Sequence, residues 1–155
     1  MVVRTLVFLL APALWAQSSL PGYPNYSAAS IANAAANVAG FYAPNTFISI
    51  YGVNLASSTI ALQADDIRDG VLPTALPGAS VRVLINQQPA SMYFVSSRQV
   101  NVLIPPSQLP GQATVQLIDS GRAGPAVDIM LTATAPALFE RGDQSAIATH
   151  GNGPL

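Results

Sequence analysis

The chain has 155 residues, of which 50% are apolar and only 8% charged, with no Cys, no Lys, six Arg and seven acids for a formal net charge of −1. That length suits one domain of ordinary size. The missing Cys excludes disulfides, thiol nucleophiles, Cys-ligated zinc and iron–sulfur sites; the five scattered Arg beyond Arg4 build neither a phosphate-neutralising patch for nucleic acid nor a polybasic membrane anchor.

Residues Met1 to Ala16 read as a secretory signal peptide. Arg4 and the amino terminus form the positive region, Leu6 to Leu14 the apolar one, and Ala16-Gln17 the cleavage point. The apolar run is shorter than the roughly 20 residues a bilayer-spanning helix needs. A buried N-terminal strand is the alternative. Residues 17–29, with Pro, Ser and Tyr concentrated in Ser18–Tyr26, read as a tether. Ser27 to Ala39 is Ala-rich and on propensity predicts a short helix. Asn33 and Asn37 interrupt it and Gly40 and Pro44 close it, so an extended entry segment is the rival.

Thr46 to Tyr51 alternates Phe47, Ser49 and Tyr51 against Ile48 and Ile50, which predicts a strand ended by Gly52. Ser57 to Leu76 is a long, weakly patterned connection carrying Asp65, Asp66, Asp69 and Gly70. Four short β-type runs follow: Ser80–Ile85, Ser91–Val95, Gln99–Ile104 and Ala113–Leu117. They are separated by Asn86–Pro89, Pro105-Pro106 and Pro110-Gly111. A last strand is predicted over Ala126–Thr134 after a turn at Asp119–Pro125. From Arg141 the pattern thins, and residues 141–155 read as an irregular tail. Strands this short and this close together must hairpin back on one another, as in an antiparallel sandwich. Pro falls almost entirely between the runs, where it costs no ladder donor and blunts sheet edges.

The candidate chemistry is thin. His150 is the sole histidine and lies in the Gly-rich tail, without the orienting scaffold a hydrolytic triad needs. There is no Gly-x-Ser-x-Gly elbow. Asp65, Asp66 and Asp69 could offer oxygen ligands to Ca²⁺, but their spacing is not that of an EF-hand, and an acidic, solvated loop is the simpler reading. Glu140 and Asp143 lie past the last strand, where a Glu140–Arg141 surface pair is expected rather than a glycosidase dyad. Tyr23, Tyr26, Phe41 and Tyr42 are expected to cover an open end of the core, with stacking on sugar faces as the alternative. At least one of Tyr93 and Phe94 must face outward by the period of two. The Asn25-Tyr26-Ser27 sequon is given no role. No catalytic, cofactor-binding or metal-ligating residue is assigned.

One longer pattern carries a resemblance. Asn33-Ala34-Ala35, Ala43-Pro44 and Ile48–Leu55 open it; Leu72-Pro73-Thr74 and Pro77–Val81 continue it. Pro89-Ala90, Tyr93–Ser96, Gln99–Asn101 and Ile104-Pro105 follow, and Pro110-Gly111 and Ala135–Phe139 close it. In order and spacing these resemble the uncharacterised Solibacter-type C-terminal domain of secreted acidobacterial proteins, itself similar to IPT/TIG immunoglobulin-like modules. The resemblance covers roughly residues 30 to 150 and favours the extended reading of Ser27–Ala39. It implies an exported Ig-like module, usually one part of a larger secreted or surface protein, and brings no catalytic residues. That family's pattern normally runs on into further strands, so a truncated reading frame is expected here, with an intentionally minimal domain as the alternative.

The expected fold is all-β: an Ig-like antiparallel β-sandwich of about seven strands over residues 30–140, with a short N-terminal helix as an option and an incomplete C-terminal part. Its core is expected to draw on Ile48, Ile50, Val81, Val83, Ile85, Val100, Val102, Ile104, Val115, Leu117, Ile129 and Leu131. Soluble surfaces usually carry about 25–35% charged residues; here Ser, Thr, Asn and Gln supply the polarity. Such a surface lies readily against other protein domains, extracellular matrix or polysaccharide, although genomic compositional bias would give the same numbers. The expected function is a non-catalytic exported module with a structural, adhesive or carbohydrate- or protein-interaction role. The alternative is an accessory domain or fragment of a secreted enzyme. The expected location is secreted, periplasmic or cell-surface, with no transmembrane segment in the mature chain, no cofactor, no nucleic acid and a tendency to self-associate.

Overall fold

The computed structural model describes residues 22–40, 42–140 and 145–147. The leader and its cleavage point, Phe41, Arg141, Asp143 and His150 lie outside the described residues. Among the described residues ten strands occur in chain order: β1 Ile31–Asn33, β2 Phe47–Tyr51, β3 Ile60–Ala61, β4 Val81–Ile85, β5 Gln88–Pro89, β6 Ser91–Val95, β7 Gln99–Leu103, β8 Gly111–Asp119, β9 Arg122–Ala123 and β10 Val127–Leu131. One antiparallel sheet has the order β1-β2-β7-β6-β3, the other β10-β8-β4-β5, with β9 paired to β8. The fold is therefore an all-β sandwich. Three of the strands, β3, β5 and β9, are two-residue pairings inside connections, and the other seven carry the structure. Their grouping matches that of immunoglobulin sandwiches, in which strands A, B, E and D face G, F and C.

The alternating aliphatics do what their spacing requires. All twelve expected core residues are buried, none more than 6% exposed, and they meet in one cluster between the sheets. Ile31, Leu55, Leu76, Met92 and Val95 belong to it as well. Each such side chain contributes about 1.5–3 kcal/mol by leaving water.

The Ala-rich segment is not an α-helix. A single 3₁₀ turn at Ala28–Ser30 leads directly into β1, whose residues pair with Ile48–Ile50. The Asn33 side-chain oxygen then accepts the backbone N–H groups of Ala35 and Ala36, at 3.0 and 3.3 Å. An Asn that satisfies the backbone locally offers an alternative to helical hydrogen bonding, and pairing with β2 decides the outcome. Asn37 has φ +52°, which no right-handed helix contains.

The sandwich also begins before residue 30. Pro24 and Tyr26, in the stretch read as a tether, are buried, and Asn25 exchanges two backbone hydrogen bonds of 3.0 Å with Val53. Glycine makes this possible twice. A Cβ on Gly52 would stand 2.3 Å from the Asn25 carbonyl oxygen, and one on Gly124 would stand 2.8 Å from the Tyr26 ring.

Two buried tyrosines fasten the lead-in segments. Val127 faces Val115 in the β10–β8 ladder, so two steps further on Pro125 would face Leu117. There the Tyr26 hydroxyl is wedged between the strands, accepting the Leu117 N–H at 2.7 Å and donating to the Pro125 carbonyl at 2.6 Å. Burial pushes the Tyr26 phenol up to about 12, partly opposed by the Leu117 N–H, which favours the phenolate. Tyr42 donates its hydroxyl to the Ile31 carbonyl within the first sheet. Its own carbonyl accepts Thr132 N–H at 2.8 Å just beyond β10, joining the two sheets at that end.

No helix among the described residues is long and apolar enough to cross a membrane.

Candidate functional site

The face of the first sheet turned away from the core carries a groove of about 330 Å³. Its floor follows from strand periodicity. In β2, Ile48 and Ile50 point inward, so Phe47, Ser49 and Tyr51 point outward. In β7, Val100 and Val102 point inward, leaving Gln99 and Asn101 on the outer face. The register sets Ser49 opposite Asn101 and Tyr51 opposite Gln99.

The third strand of the floor breaks the period. Between Met92 and Phe94 the β6–β7 register shifts, so Met92 faces Val102 while Phe94 already faces Asn101. Tyr93 is the extra residue of a β-bulge. Met92 and Val95 both reach the core, and Tyr93 and Phe94 both stay out of it. Tyr93, 49% exposed, stands over the groove with its ring edge-to-face against Phe47, centroids 5.5 Å apart and planes at 68°. That is a favoured aromatic geometry.

The walls come from either end of the domain. Ala34 and Asn37 rise from the turn after β1, and Phe139 comes from the segment that leaves the second sheet. Tyr51 donates its hydroxyl to Asn37 Oδ1 at 3.0 Å, and Gln99 Nε2 donates to Asn101 Oδ1 at 2.9 Å. Each bond engages one half of an amide, and no bond to another described residue involves the other half, Asn37 Nδ2, Asn101 Nδ2 or Gln99 Oε1. Ser49 is only 3% exposed as a residue, and its hydroxyl, which makes no hydrogen bond to another described residue, is reached from the groove rather than sealed in the core. None of the described lining residues is charged.

Other hollows are less furnished. One of about 230 Å³ on the second sheet includes Asn86, whose amide is already committed to Gln108 and the Thr114 N–H. Another, of about 350 Å³, lies in the Ser57–Leu76 connection beside Asp66 and Arg68.

The residues singled out from the sequence fare differently. Asp66 accepts the Gln63 N–H at 2.9 Å, and Asp69 and Gly70, at φ +52° and +75°, form the tight turn of a small Arg68–Val71 hairpin. Among the described residues no three His, Cys, Asp or Glu side chains gather closely enough to hold a metal. Glu140 is exposed, in an isolated bridge with Ala146. Tyr26 and Tyr42 cover the core, whereas Tyr23 is exposed. The aromatics that gather on the surface are instead Phe47, Tyr51, Tyr93 and Phe139. The outward alternation of β2 was the signal for two of them. The bulge at Tyr93 and the approach of Phe139 have no local signature.

No protein-family model matches the chain, and no curated protein matches it.

Proposed function

We propose that this chain is a non-catalytic, exported interaction module that holds another molecule against the outer face of its first sheet. The observation that supports this reading is the groove itself: an uncharged aromatic and amide surface mounted on paired strands. Sites on strands are held more tightly than sites on loops. The leader-like residues Met1–Ala16 and the resemblance to secreted Ig-like domains support export to the periplasm, medium or cell surface. Exposed Met130, Leu138 and Ile147 leave apolar side chains available to neighbouring domains or further copies.

The second reading, an accessory domain of a secreted enzyme, draws on that same resemblance, whose members are joined to larger proteins. A catalytic domain encoded in frame with this chain would favour it.

A retention assay tests the primary reading. Labelled full chain is passed over immobilised extracellular protein and over insoluble polysaccharides. Saturable retention on either surface, reduced by Tyr93→Ala, is expected. Elution in the void from every surface would end the proposal.

A further inference from the structure

We infer that the groove over β2, β7 and β6 is a binding site for a neutral saccharide; this rests on the interaction-module reading and specifies its ligand. Three features of the lining select that chemistry.

The first is charge. Ser49, Asn101, Gln99, Tyr51, Tyr93 and Asn37 bear none. A carboxylate, phosphate or ammonium seated among them would lose water and gain no opposite charge, which disfavours ionic ligands.

The second is hydrogen bonding. Ser49 lies at the floor, only 3% exposed as a residue, and its hydroxyl keeps access to the groove with no bond to another described residue. The amides of Asn37, Gln99 and Asn101 line the groove, each with one half engaged by a neighbour and the other without a bond to a described residue. Hydroxyls and amides together present donors and acceptors at close spacing, the complement of a polyhydroxylated ring whose every OH both donates and accepts. A purely apolar ligand would cover these groups and leave them unpaired.

The third is the backbone. β2 lies between β1 and β7, and β7 between β2 and β6, so the main-chain groups beneath the groove are already in ladders. An extended peptide binds a sheet by adding a strand at an edge, and the groove lies on a face instead. Phe47 and Tyr93, set at 68° to each other, form an apolar corner for the C–H face of a pyranose. The volume, about 330 Å³, is at the small end of the roughly 300–1,000 Å³ usual for ligand sites. It fits a ring or a short oligomer.

Titration of ¹⁵N-labelled full chain with cello-, malto-, manno- and xylo-oligosaccharides, and with an oligogalacturonate as an anionic control, tests the inference. At least one neutral oligomer is expected to produce saturable shifts centred on Ser49, Gln99 and Asn101, and the oligogalacturonate none. Tyr93→Ala and Gln99→Ala, both at sites with solvent access, are expected to weaken that binding about tenfold or more while the far-UV circular-dichroism spectrum stays that of the folded chain. Gln116→Ala, on the other sheet, should leave it unaltered. Absence of saturable shifts with all the neutral oligomers, preference for the anionic one, or an unchanged affinity in both groove variants would overturn the assignment. If the chain is retained on protein surfaces but ignores every sugar, the saccharide site is wrong and the module reading stands. If it is retained nowhere, both fall.

Discussion

Tyr26 shows how much one side chain decides in a fold without disulfides. Its hydroxyl stands where β8 and β10 would otherwise pair through Leu117 and Pro125, so the N-terminal segment is built into the second sheet. Tyr26→Phe keeps the ring and strips an acceptor from a buried N–H, which is expected to cost about 1–3 kcal/mol in urea denaturation. The raised phenol adds a pH dependence. Below pH 10 the phenol is protonated in both folded and unfolded chains, and its contribution is fully present. Between 10 and about 12 the folded state keeps a proton that the unfolded state has released, so stability falls as pH rises. The loss is on the order of 3 kcal/mol across that window, and thermal melts of Tyr26→Phe from pH 9 to 12 should lack the corresponding decline.

At the level of single elements, the turns explain both the placement of strands and the duty of several polar residues. Asn86 and Gln87 link β4 to β5 with φ values of +48° and +67°. Asn tolerates that region well; Gln carries a Cβ that crowds the following carbonyl. Replacing Gln87 by Gly is expected to relieve about 1 kcal/mol of strain, read as a melting temperature a few degrees higher. A lower melting temperature would mean that the Gln87 side chain holds the hairpin. The β6 bulge works differently. Inserting one residue between Met92 and Phe94 keeps Met92 and Val95 inside while turning Tyr93 toward Phe47.

The whole molecule rests on one shared core. Ile50 is fully buried, registers with Ile31 and Val100 in its own sheet, and belongs to the cluster that both sheets enclose. Ile50→Ala is expected to cost about 2–5 kcal/mol. Because the cluster is continuous, loss should appear as a shifted midpoint of a single cooperative transition, with fluorescence and circular dichroism coincident. Two separate transitions would show that the sheets unfold independently. The fold thus provides a rigid platform, and the groove on its outer face can change side chains without disturbing the aliphatics beneath.

The strands, their inward faces and the turns between them could be read from residue order because each depends on neighbours a few positions away. Period-two alternation places Ile48 against Ser49 whatever else the chain does, and Pro-Gly or Asp-Gly punctuation acts within four residues. Over Ser27–Ala39 local propensity alone points to a helix while the longer-range resemblance favours an extended segment, and pairing with β2 outweighs the Ala propensity. The groove needed the folded chain. Tyr26 meets Leu117 across 91 positions, a bulge lifts Tyr93 onto Phe47, and Phe139 returns from beyond β10 to wall a floor laid by β2 and β7. Contacts made by elements remote in sequence leave no periodic trace in it, so only packing in three dimensions could bring those side chains together.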